Sequence, residues 1–473
     1  MEEAIILYSA PLPGHLLPMV ELGKLILSHH PSLTIQILST TAPDGTDLIS
    51  SYLATVSATI PSITFHNLPT VTLPPSFFST KGNQKNPLFE VLRLNNPNVH
   101  QTLLSISQSY TIHGFVIDFF CFHSVSVASK LNIPVYYFIP CGGSNLASFL
   151  YMSTIHRTMN KSFKDLDTHI HIPGLPPTHS RDMPQSLLDR DSQVYKSLIE
   201  SSALATKAAG IIVNTFETLE ARPLKAVSDG LSVPNGSTPP VYCLGPLIAD
   251  NHQTGGEYDC LKWLDSQPSK SVVFLCFGSM GLFSTVQLKQ IADGLERSGQ
   301  RFLWVVRNPP SEKSHKLAPW AEEDPDLDSL LPEGFQDRTR ERGLVVKKWV
   351  PQLAVLKHDS VGGFVTHCGW NSVLEAVCSG VPMIAWPLYA EQRSNRVFMV
   401  EEMKIALWMH ESESGLVTAS EIEERVIELI ESEKGELVRN RVMVAKREGK
   451  AALLQGGSSR LALTKFVQSW KRE

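Results

Sequence analysis

Residues 349 to 392 read WVPQLAVLKHDSVGGFVTHCGWNSVLEAVCSGVPMIAWPLYAEQ, and this stretch decides the fold. Apolar 363–366 predicts a buried strand, 371–378 a short helix, Gly380 its C-cap, and Pro382 the turn into the next strand. The turn His367-Cys368-Gly369-Trp370-Asn371-Ser372 then sits where a sheet delivers a ligand to a helix N-terminus. Unpaired amides at such an end receive a diphosphate, so the stretch is an anion site.

Working outward, short runs rich in Val, Ile and Phe alternate with amphipathic stretches, at 4–8, 33–38, 114–117 and 135–139 and again at 272–277, 302–306, 363–366 and 383–386. That alternation predicts an α/β protein with parallel sheets covered by helices. Residues 228–256, dense in Gly, Pro, Ser and Asn, read as the linker between two domains, and 458–470 as an amphipathic helix after Gly456-Gly457. No fixed-period repeat interrupts the pattern. A length of 473 residues suits two large domains, and 42% apolar with 19% charged residues is a globular composition.

A net charge of -5 with scattered Lys and Arg excludes a nucleic-acid or anionic-lipid surface. The acidic start Met1-Glu2-Glu3-Ala4 and the short apolar run behind it do not resemble a signal peptide, and no run is long enough to span a membrane. A cytoplasmic protein is expected. The seven cysteines are odd in number and widely spaced, without a Cys-x-x-Cys pair, so no disulfide framework is expected. The acceptor strings at Asn160 and Asn235 read as chance matches in such a chain.

His15 follows the first strand and the bend Pro11-Leu12-Pro13-Gly14, and opens a helix with Pro18 in its first turn. A helix N-terminus disfavours imidazolium, which makes a neutral His15 a candidate general base. Asp118 ends the strand 114–117, where a carboxylate would orient that ring. Taken alone, a His after Pro-Gly also suits a structural role, and an Asp at a strand end also suits a turn former.

The stretch 349–392 resembles the signature box of plant secondary-product UDP-glycosyltransferases, and the likeness extends to Gly14-His15, Ile117-Asp118-Phe119-Phe120, Gly245-Pro246-Leu247 and Phe277-Gly278-Ser279-Met280-Gly281. The resemblance implies the GT-B fold: two facing Rossmann-like domains and an interdomain cleft, with the acceptor domain at 1–245, the UDP-sugar domain at 246–456 and a terminal helix at 457–473 returning to the first. It implies that Trp349 stacks on uracil, Val350 bonds its edge, and Gln352 and Glu375 bind the ribose. Ser279, His367, Asn371 and Ser372 would take the diphosphate, and Glu391 and Gln392 the sugar hydroxyls, with Trp370 beside them. His15 and Asp118 would be the catalytic dyad of an inverting transfer. Ser372 and Glu375 also have capping-box spacing, in which Glu375 would satisfy the helix start instead.

Within the family, MEEAIILYSAP, FVIDFFC and FGSMGLFSTVQLKQIADGLERSGQRFLWVV are most similar to enzymes acting on flavonoids, chalcones and related phenols. UDP-glucose is the implied donor, because Gln392 ends the box and Trp370 rather than an Arg holds its twenty-second place. Leu12, Phe119, Cys141, the segment 183–188 with Leu187, and Tyr389 are the expected acceptor pocket. The partners expected are a phenolic small molecule and a UDP-sugar, with no cofactor, no metal and a monomeric chain. Asp-x-Asp strings at 165–167, 189–191 and 324–328 lie in polar stretches, and 308–332 reads as a solvated loop over the cleft. His169, His171 and His179 also read as loop residues. A nicotinamide oxidoreductase is excluded by the lack of Gly-x-Gly-x-x-Gly after the first strand, and a non-catalytic nucleotide binder is disfavoured by the presence of His15, Asp118, Glu391 and Gln392. Attack by oxygen or by a ring carbon is left open.

Overall fold

The computed structural model describes residues 1–40, 50–74, 77, 86–249, 258–310 and 324–470. Its contacts divide the chain into two compact units, Met1–Ala249 with Ala451–Glu473, and Asp250–Lys450.

The first unit holds a seven-stranded parallel sheet: β1 (Glu2–Tyr8), β2 (Thr34–Ser39), β3 (Ile63–Asn67), β4 (Tyr110–Asp118), β5 (Val135–Ile139), β8 (Gly210–Val213) and β9 (Val241–Cys243), in the order β3-β2-β1-β4-β5-β8-β9. Successive side chains of a strand point to opposite faces. Here Ile6, Tyr8, Phe115 and Ile117 enter one core cluster while Ile5, Leu7 and Val116 enter another. Both faces are covered, which is why these strands read as unbroken apolar runs. Helix Ser458–Gln468 closes one of these cores with Leu463, Phe466 and Val467, the Phe466 ring meeting Tyr136 edge-on at 5.0 Å.

The second unit is built on β10 (Val272–Cys276), β11 (Arg301–Val306), β12 (Gly343–Lys347), β13 (Val361–Thr366), β14 (Met383–Ala385) and β15 (Ala406–Trp408), all parallel, in the order β12-β11-β10-β13-β14-β15. Helix Thr285–Ser298 starts on Ser284, whose side chain accepts from the Gln287 amide, and stops at Gly299 in the left-handed conformation. Between β5 and β8 lies a two-residue antiparallel ladder, β6 (His169–Ile170) with β7 (Thr178–His179).

Four expectations need correction. Residues 228–256 are not simply a linker, because β9 lies inside them as the edge strand beside β8; its three residues follow Pro239-Pro240 and are too few to signal a strand. Residues 246–249 and 451–456 belong to the first unit. Asn214 ties the first of these stretches down, accepting from the Leu247 amide at 2.8 Å and donating to its carbonyl. The segment 308–332 is not all loop: Leu327–Leu330 forms a short helix capped by Asp326, while 311–323 fall outside the described residues. The ladder likewise takes His169 and His179 out of loop conformation, with their rings 5.4 Å apart.

Candidate active site

In the first unit, β1 and β4 are neighbours and their carboxyl ends deliver the two dyad residues to one place. The helix after β1 runs Pro13–His29, with Leu12 as its N-cap and Pro at the first turn. His15 is thus the third helical residue, and Pro18 lies one turn in rather than in the first turn. Asp118 is the last residue of β4 and caps the 3₁₀ turn Phe119–Ser124, its Oδ1 accepting from the Phe120 amide at 2.8 Å. Its Oδ2 lies 2.7 Å from His15 Nδ1. One oxygen of Asp118 thus caps the turn and the other meets the ring. Asp118 is 0% exposed while the His15 side chain keeps 16% of its surface. A carboxylate fixed by its own strand end thus holds the imidazole by Nδ1.

Phe120, absent from the sequence-based site, stacks on the His15 ring at 4.9 Å, with Phe119 at 5.8 Å. The signal for it was its place two residues after Asp118, where the capped turn must aim it back at the imidazole. Among the expected acceptor residues, Leu12 starts the His15 helix and Phe119 lines the dyad. Cys141 packs against the same core as Phe119, and Leu187 is buried within it. Tyr389 belongs to the second unit, 6.1 Å from the His367 ring.

In the second unit the helix Trp370–Ser379 begins at the carboxyl end of β13 with Gly369 as N-cap and no side-chain cap. Cys368 holds a left-handed φ of 65°, and its carbonyl accepts from Asn395 Nδ2 at 2.9 Å, so the turn is set by a tertiary bond. The capping-box alternative fails. Ser372 and Glu375 are instead gathered by Gln352, whose Nε2 donates to Ser372 Oγ at 2.9 Å and to Glu375 Oε2 at 2.7 Å. Burial pushes the Glu375 carboxyl up to about 7, the Gln352 bond working against that shift.

His367 is buried, and its pKa is pulled down to about 4 by burial and by the nearby Arg307. Gly278, at φ 73°, presses its backbone onto this ring: a Cβ there would lie 2.6 Å from Nε2. The ring so held brings the loop of Ser279 against the start of the helix. Trp349, beside the left-handed Lys348, is 54% exposed, an unusual fraction for an indole, while Val350 next to it is buried. Gln392 is buried, with Oε1 accepting from the amides of Leu388 and Tyr389, both at 2.9 Å. Its side chain also bonds the Tyr389 hydroxyl. Trp370 and Trp386 are both buried, the latter packed on Phe277 and Phe283 as a core residue.

A His–Asp pair where strand order reverses in one sheet, and an uncapped helix N-terminus where it reverses in the other, suit a nucleotide-sugar enzyme, and comparison with known proteins agrees. Residues 238–441 match the family described as UDP-glucoronosyl and UDP-glucosyl transferase. The chain is 50% identical to UDP-glycosyltransferase 88B1 of Stevia rebaudiana over 98% of each chain. It is 49% identical to an anthocyanidin 5,3-O-glucosyltransferase of a Rosa hybrid cultivar, over 100% of this chain and 99% of the other. The chain belongs to the UDP-glycosyltransferase family. A solved UDP-glucosyltransferase from Polygonum tinctorium, capable of glucosylating indoxyl and bound to 3,4-dichloroaniline, superposes with a TM-score of 0.88 at 36% identity, covering 100% and 99% of the two chains. The two Rossmann-like sheets are those of GT-B glycosyltransferases, and the protein is a UDP-sugar glycosyltransferase.

In this glycosyltransferase one carboxylate of each acidic string is engaged in an ion pair. Asp167 pairs with His179, Asp189 with Lys164, and Asp324 with Lys348 at 2.8 Å. Among the described residues no group of three or more His, Cys, Asp or Glu is arranged around a metal position, and no helix is long and apolar enough to cross a membrane. Sequence reading also missed Arg307, which follows β11 and donates to the carbonyls of Ser279 and Lys348.

Proposed function

We propose that this glycosyltransferase moves glucose from UDP-glucose to a hydroxyl of a phenolic, flavonoid-like acceptor with inversion, giving a β-glucoside. The observation that carries the reading is the 2.7 Å contact between His15 Nδ1 and a fully buried Asp118. His15 Nε2 removes the phenolic proton, Asp118 steadies the imidazolium so formed, and the phenolate oxygen bonds the anomeric carbon as the carbon–oxygen bond to UDP breaks on the opposite face. Negative charge developing on the diphosphate is met by the amides opening helix Trp370–Ser379 and by Ser279, His367, Asn371 and Ser372. Trp349 stacks on uracil beside Val350, and Gln352 with Glu375 takes the ribose.

Sugar choice falls to Glu391, Gln392 and Trp370. With its carbonyl oxygen committed to backbone, Gln392 acts as a donor to sugar oxygens, and Glu391 supplies the acceptor. Position 370 carries no cation for a glucuronate carboxylate. A planar acceptor suits the Phe119–Phe120 shelf beside His15, together with Leu12, Cys141 and Leu187. Relatives named for anthocyanidin and indoxyl glucosylation support a phenol-like acceptor. The reaction needs no divalent metal, since helix amides and side-chain donors hold the diphosphate. A reducing, cytosolic compartment is supported by seven cysteines that are all free thiols.

The deciding experiment measures kcat/KM for UDP-glucose, UDP-galactose and UDP-glucuronate with one good phenol, with and without exhaustive EDTA. Glucose should lead by about tenfold or more, since an unpaired buried polar group costs roughly 1–3 kcal/mol. Chelation should leave turnover unchanged and the product should be the β-anomer. A lead for another sugar overturns the donor assignment, an α-product overturns inversion, and manganese-rescued loss in EDTA overturns the metal-free site.

A further inference from the structure

We propose that Arg307 is a donor-binding residue, its guanidinium supplying positive charge to the diphosphate of the UDP-sugar. The inference rests on the donor-site reading above and adds to it a cation that no resemblance assigned.

Arg307 follows β11 directly, at the carboxyl end of the second sheet, where β11 is flanked by β10 and β12. Nη1 donates to the Ser279 carbonyl and Nε to the Lys348 carbonyl at 3.2 Å, so one side chain ties the loop after β10 to the loop bearing Trp349. Nη2 makes no hydrogen bond among the described residues, and no described carboxylate pairs with the group. Its titratable neighbours carry no charge at neutral pH. The Cys276 thiol is pushed up by burial, the Tyr389 hydroxyl is pushed up to about 12, and His367 is held down at about 4. The small cavity that Arg307 lines is otherwise walled by Cys276, Phe277, Phe283, Leu288 and backbone of Gly278 and Gly281, which offer no anion.

A half-buried guanidinium stays ionised and is unfavourable without a counter-charge. Two backbone carbonyls satisfy some of its protons but do not neutralise it, and neutral side chains would serve them as well. The unmatched charge sits behind Ser279 and beside His367, at the loop that faces the helix N-terminus. A diphosphate there supplies the missing anion, and the fork geometry of Arg suits phosphate oxygens.

The test is calorimetric affinity for UDP and for uridine on the full-length protein and its Arg307→Gln, Arg307→Lys and Trp349→Ala variants, each checked for folding by thermal melting. Arg307→Gln should weaken UDP by roughly 10- to 100-fold and uridine by less than about threefold, because charge-assisted bonds to phosphate are lost while the base site stays. Arg307→Lys, which keeps the charge, should hold the UDP-to-uridine ratio within about fivefold. A folded Arg307→Gln that binds UDP like the parent, or that loses uridine as much as UDP, overturns the proposal. Should the Gln variant not fold, the Lys variant decides, and a ratio reduced by more than about tenfold overturns it. Trp349→Ala should weaken both ligands together. Its failure to do so would remove the donor-site reading itself, whereas a silent Arg307→Gln beside an effective Trp349→Ala removes only the arginine.

Discussion

The two units place their chemistry at the same point of the same topology and give it opposite electrostatics. In the first, strand order reverses between β1 and β4, with His15 after β1 and Asp118 ending β4. In the second it reverses between β10 and β13, with Ser279 after β10 and His367 after β13. Ligands bind open α/β sheets at such reversals. Each reversal carries a histidine, and the two stand in different surroundings. His15 stays partly open and rests on a buried carboxylate. His367 is sealed beside a guanidinium and sits at about 4, so it remains neutral at physiological pH. In the proposed reaction the fold sets where each ligand goes, and the group behind each ring separates the base from the neutral donor.

The contrast is broken most directly at the first histidine. His15→Ala should lower turnover on a weakly acidic phenol by about 10²–10⁴-fold while UDP affinity stays unchanged, the usual size of a general-base contribution. Asp118→Asn should lose less. Undiminished activity of His15→Ala on a simple alcohol acceptor would dissolve the distinction between the two sites.

The second site answers to backbone instead. Gly278→Ala would force a side chain into a left-handed position and set its Cβ 2.6 Å from His367 Nε2. UDP affinity should fall roughly tenfold or more, with a loss of about 1–2 kcal/mol in stability from the strained residue. An unchanged UDP affinity would show that the His367 ring is not what aligns the two loops.

Trp349→Ala sharpens the comparison by a smaller step. Uridine affinity should drop by about five- to tenfold through lost stacking, while stability moves by less than about 0.5 kcal/mol because the indole is mostly exposed. A large fall in Tm with intact uridine binding would make this tryptophan a packing residue.

How far the sequence reached follows the same division. The expected residues of the second site, Ser279 apart, fall within one stretch, where strand, turn and helix are contiguous and Gly380 marks the helix end. The dyad residues lie in different βα units, so strand-end placement could suggest their pairing but only family likeness weighed it above structural roles. The helix start at Trp370 was misjudged because the left-handed Cys368 and its bond from Asn395 set that turn. Local spacing suggested a capping box there. Arg307 was invisible for a related reason: its meaning comes from β10 and β12 flanking β11, a matter of sheet order. The short strands β9 and β15, three residues each, carry too little pattern to be read at all.

The finest distinction concerns Glu375, whose carboxyl is raised to about 7 by burial. In the free enzyme it is therefore largely protonated below that pH. Ribose hydroxyls donate to the ionised form, so binding must expel the proton when the pH is low, and uridine should bind more tightly as pH rises through about 7. Between pH 5.5 and 8 the gain should be about three- to tenfold, less than the full titration allows because a protonated carboxyl still accepts. The stability effect has the opposite sense. A carboxyl raised in the folded state contributes stability that is fully present below its unfolded value of 4.5 and is lost as pH rises through about 7. Glu375→Gln should thus flatten the pH dependence of uridine binding and raise Tm at pH 8 relative to the parent, with little change at pH 5. Uridine is the right probe, since it carries no phosphate to titrate in that window. The same slope in parent and variant would show that Glu375 does not meet the ribose, and its elevated pKa would then be a consequence of packing beneath Gln352.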